Sequence, residues 1–344
     1  MSGEFQRIRL LQSLLSTRTL PLLEVGNGDD AVVLGVEGRV VLTTDALVEG
    51  VDFASWAPWH AVGHKALAAN LSDLAAMGAD PVGYLLVLCL PRTFSDEDLR
   101  DLAGGMAALA DQEHVTCLGG DLSRTDGPVT ITITAVGQVP PGMALTRAGA
   151  RAGDGIYLSG PLGGPAAGLA ALLARPQTSR PHDVTALLQE YADPALRDAI
   201  RAQLMPKPRC ALGRALRGVA SACLDVTDGL AQDLCHLLVA SNVGAELDEG
   251  ALPIHPGVTA LSSSRDPRAL SLSGGEELEL LFTSADHAAV VRAGGSEVRR
   301  IGTVTSEMRL VVGGLQLDAA GVRMLDQGVP PPGAEILRGF QHFV

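Results

Sequence analysis

The stretch Thr43-Thr44-Asp45-Ala46-Leu47-Val48-Glu49-Gly50-Val51-Asp52-Phe53, followed at Lys65 by KALAANLSDLAAMGADP, decides how the rest of this 344-residue chain is read. Its first part follows Val40-Val41-Leu42 and reads as the end of a β-strand running into two hydroxyls and a carboxylate. Its second part reads as a helix of small residues over 59–77, carrying one amide and one acid. Asn70 and Asp73 are three apart and share a helical face, while Leu67, Leu71 and Leu74 line a face suited to a core. A carboxylate on an Ala/Leu helix is costly unless it meets a cation or donors. The stretch therefore reads as one wall of a metal–phosphate site, with the other walls supplied elsewhere in the chain.

Working outward, Phe5, Ile8, Leu11, Leu14 and Leu15 give residues 5–20 the stripe of an N-terminal helix. Gly26-Asn27-Gly28-Asp29-Asp30 is a turn into a strand over 31–36, and Gly38-Arg39 turns the chain as a hairpin into Val40. A lone GDD serves equally well as a simple Asp-rich turn. Downstream come a strand over 82–90, a helix over 96–112 capped by Ser95, a short strand over 115–118 ending in Gly119-Gly120-Asp121, and a strand over 128–139. Pro140-Pro141-Gly142 is a linker signal, which divides the chain into domains over 1–141 and 142–344.

In the second half a strand over 155–159 meets Gly160-Pro161-Leu162-Gly163-Gly164-Pro165 and then a helix over 166–174. Such glycines can offer backbone N–H groups to an anion, although the run is neither GxGxxG nor a Walker A sequence. Residues 175–183 read as a loop, and 184–204 and 208–218 as helices. Asp225-Val226-Thr227-Asp228-Gly229 sets two acids and a hydroxyl at a strand-to-helix junction. Two acids so close repel unless they share a cation, and Asp228 could also simply cap the helix that follows. Ser273-Gly274-Gly275-Glu276-Glu277-Leu278-Glu279 opens a buried strand with acids at its mouth, and a final αβ unit and a hairpin near 308–314 complete the chain.

Bulk properties narrow the function. Apolar content of 47% and charged content of 19% fit a globular chain large enough for two cores. The net charge of −13 disfavours nucleic acid or an anionic membrane as partner, but not an anionic small substrate met through divalent metal. Met1 to Leu15 lacks the layout of a signal peptide, and the five scattered cysteines read as free thiols in a reducing, cytoplasmic setting. Asp30, Asp45, Asp73, Asp121, Asp225 and Asp228, with Thr43, Thr44 and Thr227 beside them, form an oxygen-only set without His/Cys ligand clusters. That set points to a hard cation such as Mg²⁺, which keeps waters and bridges phosphates.

The runs GDDA, TTDALVEGVDF, KALAANLSDLAAMGADP, GGD, LTRAGARAGD, DVTDGL and SGGEELELLFT resemble, in order and over nearly the whole chain, the thiamine-monophosphate kinase family. The wider superfamily is similar in fold to aminoimidazole-ribonucleotide synthetase. The resemblance implies a two-domain α/β (α+β) fold: an N-terminal mixed sheet that forms a dimer-spanning barrel in a homodimer, and a C-terminal α/β domain. It implies transfer of the ATP γ-phosphoryl group to thiamine monophosphate with several Mg²⁺ ions and no catalytic side chain as base or nucleophile. It assigns Asp30, Thr43, Thr44, Asp45, Asp73, Asp121, Asp225 and Asp228 to magnesium, and Gly120, Asp121, Arg147 and Thr227 to ATP. Asp52, Glu276 and Phe340 fall to the substrate side. The chain departs from the family at Asp52, where many members carry His, at Glu277-Leu278 in place of Asp-Tyr, and at Phe340-Gln341. Another ATP-using member of the superfamily with a different acceptor, or a nucleotide-binding paralogue without turnover, are the rival readings.

Overall fold

A computed structural model describes residues 4–15, 20–25, 31, 33–36, 38–175, 180–181 and 183–337. The chain divides into two compact units. One takes the described residues within 1–74, 79–142 and 176–190; the other takes 75–78, 143–175 and those within 191–344.

The first unit begins with α1 (Glu4–Leu15) and a small antiparallel pair, β1 (Leu23–Val25) and β2 (Val33–Leu34). Its main sheet has four strands: β3 (Arg39–Val48), β4 (Asp80–Leu90), β5 (Cys117–Arg124) and β6 (Thr130–Val139), in the order β3-β6-β4-β5. Two helices accompany it, α2 (Trp59–Ala76) and α3 (Asp96–Glu113). The expected hairpin between the strands on either side of Gly38 does not form: β2 pairs with β1, and β3 pairs with β6 along all ten of its residues. That long ladder also carries β3 past Leu42, so Thr43, Thr44 and Asp45 lie mid-strand rather than at a strand end. Gly119-Gly120-Asp121 likewise sits inside β5, paired with Leu85, Leu86 and Val87, not after a short strand.

Pleating gives this sheet two different faces. Leu47, Tyr84, Leu86, Leu88, Ile131, Ile133 and Ala135 are buried on one, together with Leu67, Leu71 and Leu74 of α2. Val40, Leu42 and Leu85 on the other are exposed, Leu42 by 65%. Ser95 caps α3 as the sequence suggests, accepting from the Asp98 N–H, and the structure adds the reciprocal half of a capping box, in which Asp98 accepts the Ser95 N–H. Helices α2 and α3 cross closely enough that a Cβ on Gly105 would meet the His60 carbonyl oxygen, and one on Gly63 that of Leu102.

In the second unit, β7 (Gly155–Leu158) leads into α4 (Gly164–Leu173). The span 184–204, expected as one helix, is two: α5 (Val184–Gln189), which belongs to the first unit, and α6 (Pro194–Leu204). Asp193 caps the second through the Ala195 N–H, and Pro194 stands at its first turn, where a proline is tolerated only at a start. Then come α7 (Cys210–Ala215), β8 (Ala222–Val226), α8 (Leu230–Ser241), β9 (Gly244–Leu247), α9 (Pro256–Ala260), α10 (Pro267–Ser273), β10 (Glu279–Ser284), α11 (His287–Gly294), β11 (Arg299–Thr305), β12 (Leu310–Val312), β13 (Leu315–Leu317) and α12 (Ala319–Asp326). Seven strands form one sheet, β13-β12-β9-β11-β7-β10-β8, antiparallel except at β12–β9. Its core centres on Ile156, Leu158, Leu224, Leu234, Leu238, Leu281 and Ile301.

Candidate active site

Each unit carries its own cluster of acids. In the first, strand alternation sends Thr43 and Asp45 to the buried face of β3, where Thr43 Oγ1 donates to Asp73 Oδ2 of α2 at 2.5 Å. Burial pushes the Asp45 carboxyl up to about 6, and the nearby charges of Asp73 and Asp52 push the same way. A buried carboxyl crowded by two other acids is an arrangement a shared cation relieves. Asp52 is also tied locally, its Oδ2 accepting the Val48 N–H at 2.8 Å.

Thr44 does not join this group. Its hydroxyl turns to the other face, donating to the Ile133 carbonyl at 3.1 Å and lying 3.1 Å from Thr134 Oγ1. Asp121 belongs to that face by register, since it pairs with Val87 and Val87 with Thr132; it is exposed and accepts from Ser123 Oγ. Gly120 is exposed beside it. Asp30 and Phe340 lie outside the described residues.

In the second unit Asp225 is buried on β8, opposite Leu280 of β10. The turn after it is held by an acid that the sequence reading passed over. Asp233, on the first turn of α8, accepts the backbone N–H groups of Thr227, Asp228 and Gly229 on one oxygen, Oδ2, at 2.9, 3.0 and 3.1 Å. Burial, with Asp228 and Asp225 close by, pushes Asp233 up to about 8 against the pull of those donors. An acid in the first turn of a helix behind a glycine junction was the available signal. Asp228 accepts from Gln232 Nε2 at 3.0 Å, so Asp228 is held by the helix rather than standing free as its cap.

The Ser273–Glu279 segment packs against the same turn. The N–H groups of Glu276 and Leu278 donate to the carbonyls of Thr227 and Val226 at 2.7 and 3.0 Å. Both residues are left-handed, with φ of 60° and 52°, a conformation that costs a non-glycine residue energy and recurs at functional turns. The acids at this mouth are partnered. Glu276 accepts from Gln203 Nε2 at 2.7 Å, Glu279 takes the Arg209 guanidinium (Nε at 2.7 Å) together with Ser159 Oγ, and Glu277 accepts the Gly163 N–H at 2.6 Å. The N–H of Gly163, in the glycine turn at 160–165, is thus taken by the protein's own Glu277 side chain. Burial pushes Glu277 well above the usual carboxylate range, against the Gly163 N–H and with the charges of Glu279 and Glu276.

Arg147 lies apart from Thr227. Its carbonyl accepts from Ser241 Oγ at the C-terminal end of α8, whereas Thr227 and Asp228 precede its N-terminal end. A helix of 12 residues separates those ends by roughly 18 Å. No helix among the described residues is long and apolar enough to cross a membrane, and all five cysteines are free thiols.

Comparison with known proteins is consistent with these motifs. Residues 28–139 match the family described as AIR synthase related protein, N-terminal domain, and residues 151–314 its C-terminal domain. A thiamine-monophosphate kinase of Salmonella typhimurium is 36% identical over 345 residues, 99% of this chain and 98% of the relative. The crystal structure of a thiamine-monophosphate kinase from Stenotrophomonas maltophilia superposes with a TM-score of 0.78 at 35% identity, covering 90% of this chain and 95% of that one. A structure described as AaThiL complexed with AMPPCP and TMP superposes with a TM-score of 0.71 at 26% identity, covering 92% and 94%.

Proposed function

This chain belongs to the thiamine-monophosphate kinase family, and from that premise we propose that it transfers the γ-phosphoryl group of ATP to thiamine monophosphate. The bond from the γ-phosphorus to the bridging oxygen breaks, a bond to a phosphate oxygen of the acceptor forms, and ADP and thiamine diphosphate leave. The observation that carries the reading is the Thr43–Asp45–Asp73 cluster, an oxygen-only site in which burial and like charges oppose ionisation. The relative solved with AMPPCP and TMP supports the choice of donor and acceptor.

The acceptor oxygen is already anionic at neutral pH, so the reaction needs no strong general base and no phosphoenzyme. Its difficulty is that donor and acceptor repel. Bound Mg²⁺ supplies charge neutralisation and in-line alignment of the two phosphates. The oxygen donors present fit that ion. Asp45 and Asp73 would hold it in the first unit, with the Thr43 hydroxyl orienting Asp73; Asp225 and Asp228 would hold it in the second. Asp233 gathers three N–H groups and so fixes the direction in which Asp228 and Thr227 point. Asp30, Thr44 and Asp121 complete the proposed magnesium set, Gly120, Asp121, Arg147 and Thr227 the ATP set, and Asp52, Glu276 and Phe340 the substrate set. Residues 1–141 would form the metal, ATP and dimerisation domain and 142–344 the C-terminal domain, acting in the cytoplasm as a homodimer.

The test is a phosphoryl-transfer assay with ATP, Mg²⁺ and thiamine monophosphate, with free thiamine alongside. Thiamine diphosphate formed only from the monophosphate, and lost on chelation, is the expected result. ATP binding without product from either acceptor would overturn it.

A further inference from the structure

The last turn of α6 places an amide behind one of the proposed substrate-side acids. Gln203 is 7% exposed, and its Nε2 donates to Glu276 Oε2 at 2.7 Å, whereas Glu276 itself is only half-buried. Both partners are fixed through their backbones. Gln203 lies one helical turn beyond Ala199 and shares its face of α6. At Ala199 the helix is held closely: an added Cβ on Gly168 of α4 would meet the Ala199 carbonyl oxygen, and one on Gly257 of α9 the Ala199 Cβ. Glu276 keeps a left-handed φ of 60°, with its N–H on the Thr227 carbonyl at 2.7 Å. Such a conformation persists only where the surroundings over-determine it.

The orientation of the amide follows from its partner. A carboxylate oxygen accepts, so Gln203 must turn its nitrogen to Glu276. Its Oε1 is then buried with no hydrogen-bond partner among the described residues. An apolar side chain of similar length would leave no such orphan, and a half-buried Glu276 can be hydrated without the amide. The contact thus costs the fold an unsatisfied acceptor, and what it gains is a Glu276 carboxylate held in one direction.

We propose that Gln203 is a positioning residue, whose amide aims the Glu276 carboxylate at the acceptor. This role rests on the kinase reading, in which Glu276 belongs to the substrate set. It also fixes which end of the acceptor Glu276 takes. A carboxylate repels a phosphate and attracts a cation or an N–H donor, so Glu276 meets the nitrogen-containing rings of thiamine monophosphate and not its phosphate.

Steady-state kinetics of the full-length protein with ATP, Mg²⁺ and thiamine monophosphate, beside its melting temperature, test the role. Gln203→Met keeps the length and drops the donor. It should raise the acceptor KM about tenfold or more, leave kcat and the ATP KM within about twofold, and leave the melting temperature equal or higher. An unchanged acceptor KM overturns the proposal, whatever the melting temperature. Should Gln203→Met fail to fold, Gln203→Glu sets a second acid against Glu276 and should raise the acceptor KM more than the ATP KM; equal changes overturn the proposal. A wild type that binds ATP and yields no thiamine diphosphate overturns the kinase reading itself, and this role with it.

Discussion

The hydroxyl of Thr43 donates to the carboxylate of Asp73 across 2.5 Å, joining the middle of β3 to α2. Thr44, the next residue, makes its hydrogen bonds on the opposite face of the sheet. One strand thus divides a Thr-Thr-Asp run between a buried-face acid cluster and an exposed Thr44 on the other face of the sheet. The consequences can be measured.

Asp45 should be dispensable for folding and indispensable for turnover. Its carboxyl is pushed up to about 6 by burial and by Asp73 and Asp52, so Asp45→Asn removes repulsion and should leave the melting temperature equal or higher without metal. Kinase activity should fall about 100-fold or more, the scale expected when a charge-stabilising group is lost from a transition state. Mg²⁺ should raise the melting temperature of the wild type, and by less in the variant. Full activity with an undiminished Mg²⁺ shift would count against the assignment.

Glu277 makes stability depend on pH in a definite sense. Unfolded, a glutamate titrates at about 4.3; in the fold, burial holds Glu277 well above that. Between those two values the native state binds more protons than the unfolded state, so stability declines as pH rises. Glu277→Gln cannot titrate and still accepts the Gly163 N–H. In urea titrations its stability relative to wild type should grow from about pH 5 to about pH 8. Parallel pH profiles would show that Glu277 is ionised in the fold.

Gly105 tests the α2–α3 crossing. An added Cβ would approach the His60 carbonyl oxygen, a backbone atom that cannot rotate away. Gly105→Ala should destabilise the protein by about 1–3 kcal/mol, the usual cost of overpacking. Chemical denaturation reads the change directly, and a neutral result would mean that the helices separate easily.

Leu42 tests the proposed homodimer. It is 65% exposed on the same sheet face as Val40 and Leu85, a row of apolar groups that another copy of the strand surface could cover. Light scattering should give twice the 35.6 kDa chain mass for wild type and a single mass for Leu42→Glu. An active wild-type monomer would remove the dimer from the account.

Much of this protein was legible in the sequence because it depends on near neighbours. Alternating apolar residues marked β6, Ser95 marked the start of α3, and the acids beside small residues marked the candidate ligands. The family motifs, read in order, pointed to the same chemistry. Other features rest on partners far apart in the chain. Nothing local says that β3 pairs with β6 rather than with the preceding strand, or that Glu277 lies over the glycine turn at Gly163. The same holds for Arg209 meeting Glu279 and for His236 of α8 lying 2.7 Å from Asp326 of α12. Local periodicity specifies which element forms and which residues share its faces. Which face meets which depends on long-range pairing and burial, and only the tertiary structure decided that a buried acid would meet a backbone N–H, a guanidinium or a cluster of other acids.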